Sequence, residues 1–377
     1  MEPKRTKYSE IARLLRAEIA SGKYGETGRL PSEARLVKRF GVSRPTVARA
    51  LRTLEAESLL VRRAGVGSFL QAGDGGAGSA APSRLLALLV PDLGNTEIFQ
   101  LICGEIAGLA RVHDYSLVWG GSGQQRLEPN LSLQHAEQLC RQYIERRVSG
   151  VFFCPFEFLP GYEDVNRRIA VMLRDAGIQV VLLDRDFTPH PSRSDFDLVS
   201  IDNVAGGFLL AEHLIKLGCK RPAFVVCEHS APSVNARIVG VREALARHRL
   251  EGAPDWVRIG TPTNAKFVRS LVAGRPWDAF ICANDHTAAL LLRALEQENR
   301  RVPEDVRVVG FDDVNYATFL RVELTTIHQP CRDIAITAFR AMLDRLAEPT
   351  LPARSLLVSP RLVVRESCGA YLAAKPG

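Results

Sequence analysis

Ser43, Arg44, Pro45 and Thr46 open a helical pattern with a guanidinium and hydroxyls left over for something outside the chain. Ser43 suits a helix N-cap, and Pro45 fits the first turn, where its missing N–H costs little. From there Val47, Ala50, Leu51 and Leu54 recur at i, i+3, i+4 and i+7, the spacing of one buried helix face. Arg44 and Thr46 are thus exposed at the leading end. A guanidinium so placed can make paired hydrogen bonds to a guanine edge, worth about 1–3 kcal/mol of discrimination. The Thr46 hydroxyl can bond a phosphate or cap its own turn. Just upstream, Leu36, Val37 and Phe40 mark a shorter helix that ends at Gly41. Two helices joined at a glycine make a helix-turn-helix, whose second helix enters the major groove of DNA by this end.

The elements that must hold this end in place are legible around it. Ile11, Leu14, Leu15 and Ile19 give a helix over 8–21, and after Leu54 a hairpin is expected, Leu59–Arg63 and Ser68–Gln71, turning at Gly65 and Gly67. Arg62 and Arg63 lead into that glycine turn, which can approach a phosphate or the minor groove. The layout is a winged helix-turn-helix, a small α+β domain over 1–71. Charge agrees: residues 1–70 hold 15 Lys/Arg and 7 Asp/Glu, a net +8, while the rest of the chain sums to −1. A basic small domain on a near-neutral body is the footprint of a polyanion partner.

Residues 72–83 are almost entirely Gly, Ala, Ser and Pro and read as a flexible linker spanning about 20 Å. From Leu85 short apolar runs alternate with helical patterns. One set comprises 85–90, 115–119, 150–154 and 179–183; a second comprises 198–201, 222–227, 256–259, 278–282 and 306–311. Repeated βα units in two sets predict a body, 84–369, of two α/β lobes with parallel sheets, and a cleft where the carboxyl ends of their strands face one another.

Several classes are disfavoured. No apolar run of about 18 residues is present to span a bilayer, and the N-terminus lacks the apolar core of a secretory signal, so a cytoplasmic chain is expected. Eight scattered cysteines without a CxxC pair read as reduced, buried thiols, and the eight histidines lack metal-ligand spacing. No Ser/His/Asp or paired-carboxylate constellation stands out, and GGSG at 120–123 lacks dinucleotide-site spacing. No metal, cofactor or catalytic residue is expected.

Two stretches carry a family resemblance. LPSEARLVKRFGVSRPTVARAL, followed by RRAGVGSFL, resembles the N-terminal domain of GntR-type regulators. In the body, VVLLDR (180–185), VSIDNVAGGFLLAEHLIKLGCKRPAFV (199–225), NARIVGVREAL (235–245), the run 278–314 and LTTIHQP (324–330) resemble the effector domain of LacI-type regulators, which is related to periplasmic sugar-binding proteins. The combination is similar to the arabinose-responsive repressor group. It implies a homodimeric, ligand-responsive transcription regulator bound to double-stranded operator DNA, most simply a repressor released by a sugar. An activator of the same architecture, or a solute-binding protein, is the alternative.

In the head, the resemblance implies that Lys7 and Tyr8 lie near the DNA backbone and that Arg44 reads base edges. The pattern departs at Ala48, where many members carry arginine; Arg49 and Arg52 are the neighbouring cations able to compensate. Ser68 keeps the hydroxyl of the wing. In the body, Asp184, Arg237, Asn284, Asp312 and Gln329 match effector contacts, and Phe99 is a candidate for packing on a sugar face, with Glu97 a weaker one. Carboxylates, amides and a guanidinium converging on a cleft suit vicinal hydroxyls. Arg185, Asp285 and Asp313 are expected as structural neighbours. The linker is poor helix material, so effector control is expected to act on head spacing or linker ordering.

Overall fold

The computed structural model describes residues 7–20, 23–24, 30–56, 60–63, 67–70, 83–90, 97–120, 129–157, 161–250, 254–273 and 277–372. The chain divides into two compact units, Met1–Pro82 and Ser83–Gly377.

The head holds α1 (Lys7–Ala20), α2 (Glu33–Phe40), α3 (Arg44–Ala56) and an antiparallel pair, β1 (Leu60–Arg63) and β2 (Gly67–Leu70). Its core is the expected stripe: Val47, Ala50, Leu51 and Leu54 are fully buried with Leu15 and Leu36, and Ile11 joins them. Ser32 caps α2 by accepting the Arg35 N–H at 3.4 Å. Gly41 ends the helix with φ +61° while its N–H reaches the Val37 carbonyl, a left-handed stop that glycine adopts without a Cβ penalty. Gly67, expected in the hairpin turn, instead starts β2 and pairs with Arg63. Gly65 and the linker 72–82 lie outside the described residues.

The body comprises β3 (Leu85–Leu89), α4 (Glu97–Val112), β4 (Ser116–Trp119), α5 (Pro129–Glu145), β5 (Gly150–Phe153), α6 (Tyr162–Asp175), β6 (Gln179–Leu183), β7 (Asp197–Ile201), α7 (Asn203–Lys216), β8 (Pro222–Val226), α8 (Pro232–Arg247), β9 (Val257–Ile259), α9 (Ala265–Val272), β10 (Ala279–Cys282), α10 (Asp285–Gln297), β11 (Arg307–Val309), β12 (Thr326–His328), α11 (Cys331–Ala347), β13 (Ser355–Val358) and β14 (Arg361–Val363). The first lobe is built on a parallel sheet in the order β13-β7-β6-β5-β3-β4, the second on a parallel sheet in the order β11-β10-β8-β9. Strands β5, β7, β8 and β10 are buried along their whole length, as expected for sheets covered by helices on both faces. In the first lobe alternate residues serve opposite faces: Leu86, Leu88 and Phe152 join the core with α4 and α11, whereas Ala87, Leu89 and Phe153 join the one with α5 and α6.

Residues 198–201, expected in the second lobe, belong to the first-lobe sheet as β7, paired in parallel with β6. The connection over 184–196 contains no helix, and about a dozen residues suffice for a parallel crossover, so the lobe boundary falls one strand later than the strand count implied. Three short strands were not anticipated. β13 extends the first sheet at its edge, and β12 pairs antiparallel with β14 beside the second. The chain therefore crosses between lobes three times: after β7, after β12 and between β13 and β14.

All eight cysteines are free; seven are buried and Cys227 is partly so. Desolvation pushes the Cys103 and Cys140 thiols up to about 12. No described helix is long and apolar enough to cross a membrane, and no metal-binding group of His, Cys, Asp or Glu occurs among the described residues.

Candidate nucleic-acid interface and ligand cleft

In the head, α3 starts where the sequence sets its proline. Arg44 is 80% exposed, its Nε 3.2 Å from the Glu33 carboxylate on α2. An exposed pair of this kind is worth about 0–1 kcal/mol, so the guanidinium is easily given up to another acceptor. Ser43 and Thr46 share a hydroxyl–hydroxyl hydrogen bond of 2.8 Å, the local capping alternative for Thr46; the Ser43 carbonyl accepts the Thr46 and Val47 N–H groups. Pro45 is exposed beside them. Arg49, one turn on, lies with its guanidinium carbon 4.3 Å from the centre of the Tyr8 ring, and Lys7 precedes Tyr8 on α1. The head thus brings together Tyr8 with Arg49, and Ser43 with Thr46.

In the body, the predicted residues emerge from strand ends. Asp184 follows β6, Asn284 follows β10, Asp312 follows β11, and Gln329 sits where the chain crosses from β12 to α11. Arg237 comes from the second turn of α8. Asp184, Arg237, Asp312 and Gln329 are each less than a tenth exposed. Nε of Arg237 donates to Asn203 Oδ1 at 2.8 Å, another of its N–H groups donates to the Ala283 carbonyl, and the guanidinium lies 3.6 Å from the centre of the Phe311 ring. Gln329 Nε2 donates to Asp312 Oδ1 at 2.7 Å, while Gln329 Oε1 is buried without a hydrogen-bond partner. Asn284 caps α10 by accepting the Thr287 N–H at 2.8 Å. That occupies its oxygen and leaves its NH₂ as the remaining donor group.

Backbone conformation reinforces the picture. Asp184 and Asp312 have φ of +67° and +129°, values that side-chain-bearing residues hold only where surrounding structure over-determines them, commonly at functional sites. Here the ladder does so: the Asp184 N–H is donated to the Val199 carbonyl, that of Asp312 to Ile327.

Sequence reasoning missed part of this group. Arg185, expected as a structural neighbour, pairs with Glu157 and lies 3.5 Å from Asp184 and 3.4 Å from the Cys154 sulfur. Glu157 and Asn203 were not singled out at all; Asn203 follows the N-cap Asp202, the one local signal available. Phe99 is buried in the core of the first lobe, its ring centre 5.4 Å from the Arg185 guanidinium. Asp285 and Asp313 both make contacts within the body. Asp285 accepts from Thr326 Oγ1 and the Val314 N–H, and Asp313 pairs with Arg365 and His328.

Two guanidiniums and three carboxylates therefore share a nearly dry volume. Burial pushes the Asp312 carboxyl up to about 8 against the pull of Arg237, and raises Asp184 against Arg185 and Arg237. Burial also lowers Arg237, which Asp312 and Asp184 partly offset. For Arg185 burial is outweighed by Cys154, Glu157 and Asp184, which hold it charged. A cavity of about 80 Å³ adjoins the group, lined by Asp184, Arg185, Thr188, Asn203 and Ser233 among others. Such a set can accept from and donate to a small polyhydroxylated molecule at once.

The α7–α8 crossing positions Arg237. A Cβ on Gly207 would sit 2.0 Å from the Arg237 carbonyl oxygen, and one on Gly240 2.0 Å from that of Val204. Only glycines allow these backbones so close. Gly240→Ala must push the helices apart; it should cost about 1–3 kcal/mol and loosen the Arg237–Asn203 bond. Urea unfolding of the full chain checks the first effect, and unchanged stability would refute it.

Residues 7–70 match the family described as bacterial regulatory proteins, gntR family, and residues 211–368 match a periplasmic binding protein-like domain. The arabinose metabolism transcriptional repressor of Geobacillus stearothermophilus is 26% identical over 375 residues, covering 96% of this chain and 97% of that one. The ribose operon repressor of Halalkalibacterium halodurans is 24% identical over 286 residues, covering 76% and 80%. A solved complex of the transcriptional regulator CelR with cellobiose superposes with a TM-score of 0.64 at 24% identity, covering 86% of this chain and 91% of that one.

Proposed function

We infer, for a chain that joins a gntR-family DNA-binding head to a periplasmic-binding-protein-like body and is a transcription regulator, that it represses carbohydrate-utilisation genes and is released by a sugar or sugar-like effector. The observation that carries the effector half is the buried polar group of Asp184, Arg237, Asp312 and Gln329, of which Asp184 lines a cavity. The names of the arabinose and ribose repressors and the cellobiose complex support a sugar. In this reading the protein acts in the cytoplasm as a homodimer, its two heads on operator half-sites about one helical turn apart or a multiple of that. Effector binding changes the lobe arrangement, and with it the fit of the paired heads, through a coupling of about 1–3 kcal/mol.

Thermal-shift screening of the full chain against pentoses, hexoses, disaccharides and sugar acids tests the effector. At a hundredfold excess over its dissociation constant, a true ligand stabilises by about 2.7 kcal/mol; no shift with any of them would overturn the sugar assignment. On DNA, the reading gives Arg44, Thr46, Ser43, Pro45, Arg49, Lys7, Tyr8, Gly65 and Gly67 to the interface. Arg44→Ala should relax base preference by about 1–3 kcal/mol, whereas Lys7→Ala should weaken binding on all sequences and lower the salt slope by about one. Competition binding over a range of salt concentrations measures both, and equal losses on every sequence for Arg44→Ala would remove its reading role.

A further inference from the structure

Two carboxylates cross from the first lobe to the second. Glu157, in the segment after β5, accepts the Ala231 N–H through Oε2 at 3.0 Å. Glu97, the first residue of α4, accepts the Asn315 N–H at 2.6 Å. Neither turn caps itself: the residues before them, Ala231 at α8 and Val314 at the 3-10 turn Asn315–Thr318, make no side-chain cap. The Ala231 N–H is buried and needs a partner, which the other lobe supplies; the Asn315 N–H is exposed and is nonetheless taken up by a carboxylate of the other lobe. Glu157 is held ready by its own lobe, since its second oxygen pairs with Arg185, itself fixed against Cys154 and Asp184. The points of contact flank the ligand group along the chain: Ala231 leads into the helix that carries Arg237, and Asn315 follows Asp312 by three residues.

We infer that Glu97 and Glu157 are positioning residues that latch the two lobes together and so raise the population in which the ligand group is assembled, a bias that effector binding then completes. This deepens the reading of the cleft as the effector site and rests on it only for its consequence. When the closed arrangement is already populated, an effector that prefers it binds with less of its intrinsic affinity lost to closing the lobes. A latch of charge-assisted hydrogen bonds sets that population, and losing one such bond shifts it by up to roughly tenfold.

Hydrogen–deuterium exchange on the full chain, with no sugar present, tests the latch apart from the effector. The informative variant is Glu97→Ala, because Glu97 lies outside the charged group. A latch predicts exchange faster by up to roughly tenfold not only over 313–319, where Asn315 loses its partner, but also over 228–237, at the other contact. A local cap would change only the first segment, and that result would overturn the proposal. Glu97→Gln, which keeps an acceptor oxygen, should restore most of the protection at both segments; failure to restore either would count equally against the latch. The denaturant midpoint of each variant identifies any that is generally unfolded, in which case the Gln variant alone decides, by whether its two segments change together.

Discussion

Arg237→Met should strip the body of its response to effector, with ligand affinity falling by roughly 2–5 kcal/mol, about 30-fold or more. Methionine keeps an apolar stem against Phe311 but removes every donor. Asn203 Oδ1 and the Ala283 carbonyl then lose their partner, and Asp184 and Asp312 lose the cation that faces both. An uncompensated charge in a dry site either destabilises the fold or takes up a proton. Both carboxyls already sit above the ordinary range because they are buried, so protonation is the easier course and the fold should survive. The sign of the pH dependence follows. For Asp312, raised when folded, the stabilising contribution is present at low pH and lost as pH rises through about 8; without Arg237 that window moves higher. Calorimetric titration with the sugar identified by thermal shift gives the affinity. Binding within threefold of the unsubstituted chain would refute the role given to Arg237.

Asp197→Ala should cost the body about 3–5 kcal/mol at neutral pH. Asp197 is fully buried at the start of β7 and accepts from Arg345 at 2.7 and 3.0 Å, from the Arg354 side chain at 2.8 and 3.3 Å, and from the Arg354 N–H at 2.7 Å. It thereby ties β7 to the end of α11 and to the edge strand β13. Arg345 also serves the carbonyls of Pro349, Leu351 and Pro352, so removing the carboxylate leaves a guanidinium buried among dipoles without a counter-charge. Burial alone would raise the Asp197 carboxyl, but the two arginines outweigh it and hold it below the ordinary range. Its contribution is therefore present above the unfolded value, near 4, and lost as pH falls through the lower folded one. Urea unfolding of both proteins from pH 7 downward should show the gap closing in acid. A gap that is small at pH 7, or that widens in acid, contradicts this account.

The head was legible because its periodicity and its burial are the same fact: Val47, Ala50, Leu51 and Leu54 line one face and that face is the core. The body's strands were legible as apolar runs, since parallel sheets covered on both sides leave no polar alternation to confuse. Membership of a sheet is another matter. Residues 198–201 look like any buried strand, and only the helix-free stretch before them puts them next to β6. The short edge strands β13 and β14, half exposed around Pro360, carry too little pattern to be seen. Asp184, Arg237, Asp312 and Gln329 came from family resemblance, and the fold brings them into one buried group. Glu157 and Arg185 escaped because their importance lies in what faces them from elsewhere in the fold. No spacing along the chain encodes that a carboxylate after β5 will meet an unpaired N–H at residue 231.

The sequestered thiols make the protein its own stopwatch. With seven of eight sulfurs inside the body's apolar layers and Cys227 alone partly accessible, an alkylating reagent meets one slow target while the fold persists and the full complement only when it lets go. The rate at which mass increments accumulate then follows excursions out of the native state, in dilute or crude samples alike, without any added label.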